Sequence, residues 1–131
     1  MGRKIEDYVA PIKEDGLRTA KPLGYHSDAG STVTQATNRS TGVTINALSG
    51  VITMNAASLA AAAEATFTVT NNKVEANDVV VVALAATGTG TPQVFVRAVD
   101  AGSFDITITN LHATTADTTA DPINFVVIKA S

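Results

Sequence analysis

The chain has 131 residues, a net charge of −3 and 45% hydrophobic residues, but only 5% aromatic ones, with no Cys and no Trp. A single-domain length without cysteine excludes a disulfide scaffold and thiol chemistry, and the acidic balance leaves no electrostatic footprint for nucleic acid. The charged start Met1–Asp7 leads into no apolar export segment, and no run approaches the roughly 20 apolar residues of a membrane span, so a soluble protein made in a cytoplasm is expected.

Residues 1–28 differ in kind from the rest. They hold ten of the 21 acidic and basic side chains, five of each sign, together with breaks at Pro11, Pro22 and Gly24. Scattered among them are Ile5, Tyr8, Val9, Ile12, Leu17, Leu23 and Tyr25. Their spacing allows at most one amphipathic turn around Arg3–Val9, ended by Pro11, and otherwise follows neither strand nor helix period. A disordered tail usually lacks so many large apolar residues. Ordering the 28 residues costs roughly 1 kcal/mol or more each, whereas burying seven apolar side chains returns only about 1.5–3 kcal/mol apiece. The balance favours an extended arm that orders on a partner, with those seven residues as its anchors. The expected division is therefore an arm over 1–29 and a folded domain over 30–131.

From Gly30 onward Thr, Ala, Val and Asn replace the charges. Ser31–Gln35 is a short alternating strand. Gly42–Asn46 and Val51–Met54 follow, and Leu48-Ser49-Gly50 between them predicts a hairpin. The alanine-rich stretch from Asn55 to Ala63 allows one helical turn with Asn55 as N-cap. Ala65–Asn71 alternates cleanly, with Phe67 and Val69 inward. Asp78-Val79-Val80-Val81-Val82-Ala83-Leu84-Ala85 carries seven apolar residues in a row, stiff at χ1 and suited to a pleated sheet. A run without a polar face predicts a strand covered on both sides, in the middle of a layered structure. Gly88-Thr89-Gly90 before Pro92 predicts a hairpin loop. Gln93–Asp100 and Ser103–Asn110 pair through Asp100-Ala101-Gly102, with Phe104, Ile106 and Ile108 inward and Asp105, Thr107 and Thr109 in water. A polar loop from Thr114 to Asp121 leads to the last strand, Ile123–Lys129. About eight strands in roughly a hundred residues predict an all-β antiparallel sandwich of jelly-roll or Greek-key type. Its uncharged outer faces are a poor defence against edge pairing and point to a homo-oligomer.

No stretch carries a catalytic pattern. His26 and His112 lack spaced metal ligands, and the neighbouring letters His26-Ser27-Asp28 cannot form a relay, because adjacent side chains diverge. Gly88-Thr89-Gly90 is followed by Pro92 and a strand, not by the helix a phosphate loop requires. Glu75, Asp78, Asp100 and Asp105 lack calcium-loop spacing, and strand-end capping accounts for Asp78 and Asp100. Asn38-Arg39-Ser40 matches a glycosylation sequon, without meaning unless the chain is secreted. The expectation is a protein without catalytic residues, cofactor or metal.

The stretch Ser31-Thr32-Val33-Thr34-Gln35-Ala36-Thr37-Asn38-Arg39-Ser40-Thr41-Gly42-Val43-Thr44-Ile45-Asn46, with Gly50–Met54, Phe67–Asn71, Gly102-Ser103-Phe104 and Ile123–Lys129, resembles small structural proteins of tailed bacteriophages, particularly head decoration (cement) proteins. The resemblance spans about residues 30–129 and leaves the arm outside it. It implies a β-domain on the exterior of a virion, bound to the major capsid protein and to copies of itself. In that reading the assembly is a homotrimer whose arm staples neighbouring subunits, with no nucleic-acid or membrane partner. A fibre or tail-tip module binding host glycans is the alternative. Sugar sites usually want exposed aromatic platforms, and the only tyrosines, Tyr8 and Tyr25, both lie in the arm. A small hydrolase on the same fold would need ligands or acid pairs that the chain does not present.

Overall fold

Period-two patterning builds the central strands. Between Glu64 and Thr70 the side chains of Phe67 and Val69 are buried while Thr68 and Thr70 are exposed. Between Ser103 and Asn110, Phe104, Ile106 and Ile108 are all 1% exposed or less. The computed structural model describes residues 20–86 and 88–130. A 3-10 turn, Ser27–Ala29, leads into β1 (Gly30–Thr34), followed by β2 (Val43–Thr44), β3 (Ser49–Thr53), β4 (Glu64–Thr70), β5 (Val79–Leu84), β6 (Pro92–Asp100), β7 (Ser103–Asn110) and β8 (Pro122–Ile128). The eight strands form two four-stranded sheets, sheet I in the order β1-β3-β8-β5 and sheet II in the order β2-β4-β7-β6. This is the expected all-β sandwich.

Its pairing is mixed, not purely antiparallel. β1 runs parallel to β3, and β2 runs parallel to β4; the other pairs are antiparallel. From β1 to β4 the chain changes sheet at every step, so each strand arrives parallel to the one two before it. The expected hairpin between Gly42–Asn46 and Val51–Met54 is therefore absent, since β2 and β3 lie in different sheets. The physical reason is in the connector: Ile45 and Ala47 are 3% and 6% exposed, so this segment crosses over the core instead of turning back at the surface. The hairpin of β6 and β7 does form, and Gly102 holds its turn at φ +86°, where a side chain would be strained. β8 then enters between β3 and β5.

Three further expectations are corrected. The valine run is an edge strand of sheet I, with Val80 buried but Val79 and Val81 51% and 47% exposed. A two-layer sandwich covers only one face of each sheet, and these valines lie on the other. The stretch from Asn55 to Ala63 forms no helix; an isolated bridge between Leu59 and Asp117 pins it, with backbone bonds of 2.8 and 2.9 Å. Asn55 accepts from the Ala57 N–H at 2.9 Å, a capping bond made without a helix. Gly88–Gly90 is a crossing from sheet I to sheet II instead of a hairpin loop, packed so closely that a Cβ on Gly88 would lie 2.1 Å from Thr119 Oγ1.

Phe104 from sheet II meets Phe125 from sheet I at 5.6 Å between ring centres, joining the layers. Ile52, Met54, Ile106, Ile108, Ile123 and Val127 fill the space around them, all fully buried. Each such side chain contributes about 1.5–3 kcal/mol by leaving water. Thr107 is the last correction. It faces away from this core yet is only 2% exposed, because it is flanked by Thr66, whose Oγ1 lies 2.8 Å from its own, and by Phe95 in the register of β6.

Candidate interaction surface

The outer face of sheet I is built by alternation in two adjacent strands. With Val80 and Val127 inward, the register of β5 on β8 places Val79 opposite Ile128 and Val81 opposite Val126 on the outside. Val79, Val81 and Ile128 remain about half exposed, at 51%, 47% and 49%. Four large aliphatic side chains thus lie side by side without a charge among them. Single exposed apolar residues are ordinary; a contiguous strip marks a contact surface.

The end of the arm reaches this strip. The Tyr25 hydroxyl donates to the Val127 carbonyl, while the Val127 N–H donates to Leu48 at 2.7 Å. Leu23, Gly24 and Tyr25 line a shallow cavity of about 330 Å³ with Val126 and Ile128. Leu23 nonetheless stays 72% exposed and Tyr25 40% exposed, so the segment lies on the face without closing it. Of the seven expected anchors, these two are placed together on one surface. Ile5, Tyr8, Val9, Ile12 and Leu17 lie outside the described residues.

An ionic cluster bounds the strip beside Val79 and Ile128. Asp78 accepts from the Glu75 N–H at 2.8 Å, the turn cap expected of it, and also from the Lys129 ammonium. Lys129 lies 3.3 Å from the Glu75 carboxylate as well. The Lys129 hydrogen bond holds the Asp78 carboxyl below its ordinary value, and the same bond raises the Lys129 ammonium.

A second polar cluster is buried where the loops meet. Arg39 pairs with Asp117 at 3.1 Å and donates to the backbone carbonyls of Ala57 and Thr119 at 2.5 and 2.9 Å. Asp121 is buried beside them. Its burial first, and then the Asp117 charge, push its pKa up against the pull of Arg39. Arg39 ties three loops together here, which is a structural role. Sequence reasoning missed the cluster. Arg39 was visible only inside a sequon, and nothing in a linear pattern links it to a carboxylate 78 positions away.

The histidines act as backbone acceptors. His26 Nδ1 accepts from the Asp28 N–H at 3.2 Å, and His112 Nδ1 from the Thr114 and Thr115 N–H groups at 3.1 and 2.9 Å. Asp105 accepts from the Thr68 hydroxyl at 2.7 Å. Among the described residues no three His, Cys, Asp or Glu side chains gather as metal ligands, and no helix is long and apolar enough to cross a membrane. No family model, curated protein or solved structure matches the chain.

Proposed function

We propose that this chain is a structural virion protein that decorates the outside of a tailed-phage head and stabilises it, without catalysis or cofactor, by binding the major capsid protein and sister copies. The observation that carries this reading is the arm's end, Leu23–Tyr25, seated on an outer sheet face whose aliphatic strip stays half exposed. A strip of this kind gains stability when a neighbour covers it, and the arm leads from it. The nineteen residues before Ala20, if fully extended at about 3.3 Å each, would reach roughly 60 Å, enough to cross onto an adjacent subunit. The resemblance of residues 30–129 to cement proteins supports the same reading, with a trimer as the proposed assembly and the capsid exterior as its place.

The test is co-sedimentation of the full chain with undecorated heads of the phage that encodes it, followed by capsid melting. Saturable binding and a raised melting temperature are expected, with both weakened by Leu23→Asp and Tyr25→Ala. Failure of the wild-type chain to bind heads would overturn the reading.

A further inference from the structure

Each sheet of an open sandwich has two edges; of the four, two are blunted by their own sequence and a third is mostly polar. β2 is only two residues long. β6 starts at Pro92 and has a bulge between Val96 and Ala98, where Arg97 adds a charge. β1 is Gly-Ser-Thr-Val-Thr, with one apolar side chain. Short strands, prolines, bulges and charges are the usual devices against edge-to-edge pairing. β5 has none of them. It is Val-Val-Val-Val-Ala-Leu, six residues without a charge, a proline, a glycine or a register shift against β8.

The hydrogen-bonding sense of β5 follows from one bond. The Ala85 N–H donates to the Pro122 carbonyl at 2.9 Å. Along an antiparallel strand the backbone groups alternate sides, so Val79, Val81 and Ala83 address β8, and Val80, Val82 and Leu84 present theirs at the open edge. Beyond that edge, sheet I has no further strand among the described residues. On the inner side β5 packs against β6, the neighbouring edge of sheet II, and an open cleft of about 370 Å³ is lined by Val82, Ala83, Leu84, Pro92, Gln93 and Val94.

We propose that β5 pairs antiparallel with β5 of a second copy of this chain, about a two-fold axis at Val81. Face matching restricts the register to axes that pass through a residue, of which Val81 lies near the centre of the strand. Inner side chains stay inner only if the paired residue numbers have an even sum, because a one-residue slip exchanges the faces. An axis at Val81 sets Val81 against itself, Val80 against Val82 and Val79 against Ala83. Val80 and Val82 then exchange hydrogen bonds through their free backbone groups. Val81 forms the closer, non-hydrogen-bonded pair, with about 4.5 Å between Cα atoms. Asp78, already held by Lys129, falls opposite Leu84, so no like charges confront each other. The two sheets I become one sheet of eight strands, and the two aliphatic strips meet across the axis. Such a contact closes pairs, so it joins trimers on a capsid without building them. It uses no residue of the arm and stands apart from the capsid reading.

The absence of native cysteine makes the test direct. Val81 is half exposed, so Val81→Cys leaves the core untouched, and two copies related by the axis bring their sulfurs within disulfide reach. Under mild oxidation Val81→Cys is expected to run mainly as a dimer on a denaturing, non-reducing gel, while Thr68→Cys, exposed on sheet II, stays monomeric. Val79→Cys and Ala83→Cys are each expected to stay monomeric alone and to cross-link when mixed. Leu23→Asp and Tyr25→Ala added to Val81→Cys should leave the cross-link intact. A monomeric Val81→Cys, or cross-linking of Thr68→Cys to the same extent, would overturn the proposal.

Discussion

The two sheets share a core but not a surface. Outside sheet II, hydroxyls and a carboxylate satisfy one another: Thr66 with Thr107 at 2.8 Å, and Thr68 with Asp105 at 2.7 Å. Outside sheet I, the corresponding positions of β5 and β8 are Val79, Val81, Val126 and Ile128, half exposed or partly buried, with the arm's end laid beside them. One face is largely satisfied within the chain, apart from Phe95, which stays 48% exposed on β6. The other keeps its aliphatic strip half exposed. Exposure alone would not have distinguished them, since both sheets bear exposed apolar side chains; the difference lies in the polar pairs that, among the described residues, only sheet II makes across its strands.

The largest effect is expected where the sheets agree, in the core. Ile106→Asp places an unpaired carboxylate at a site with 0% exposure, costing several kcal/mol, and the variant should lack a cooperative melt. Next comes the buried pair that ties the loops. Arg39→Met leaves Asp117 and Asp121 buried without their cation, a loss of about 3–5 kcal/mol to be read by denaturant titration. A loss below about 1 kcal/mol would show that the carboxylates can take up protons or reach water there.

The outer faces themselves separate at the third step. Thr107→Asp breaks the bond to Thr66 and crowds Asp105 two residues away, so about 1–3 kcal/mol is expected to be lost. Val81→Thr, on the outside of sheet I, should change stability by less than about 0.5 kcal/mol in dilute solution. Equal costs at both positions would erase the distinction between the faces.

The smallest effects are those of pH, and they oppose each other. The Asp78 pKa is lowered, so its contribution is present above 3.8 and fades as pH falls through the folded value. The Asp121 pKa is raised, so its contribution is complete below 3.8 and fades as pH rises through the folded value. Stability curves against pH should therefore show Asp78→Asn losing ground to the wild type as pH climbs, and Asp121→Asn gaining ground.

How far the sequence was legible follows from the range of each signal. Period-two runs such as Phe104-Asp105-Ile106-Thr107-Ile108 are local, so eight strands and most of the core were readable. Pairing is not local. Nothing within Gly42–Asn46 says that β2 joins β4 instead of β3, and the two parallel pairs went unforeseen. The valine run reads as a strand in the middle, because an all-apolar strand covered on one face has the same letters as one covered on both. Thr107 was placed in water, since its polar letter gives no hint of Thr66 and Phe95 beside it. For the interaction surface, Leu23 and Tyr25 were named, while the strip they lie against came only from the register of β5 on β8.

The central claim, that this protein meets its neighbours through the outside and open edge of sheet I, is tested most directly by amide hydrogen exchange of the wild-type chain. Exchange should be compared between dilute solution and head-bound protein. The account predicts that binding slows exchange in peptides covering β5 and β8, most of all at Val80, Val82 and Leu84, and leaves β4 and β7 unchanged. Slowing confined to β4, β7 or β6, with β5 exchanging as in dilute solution, would contradict it.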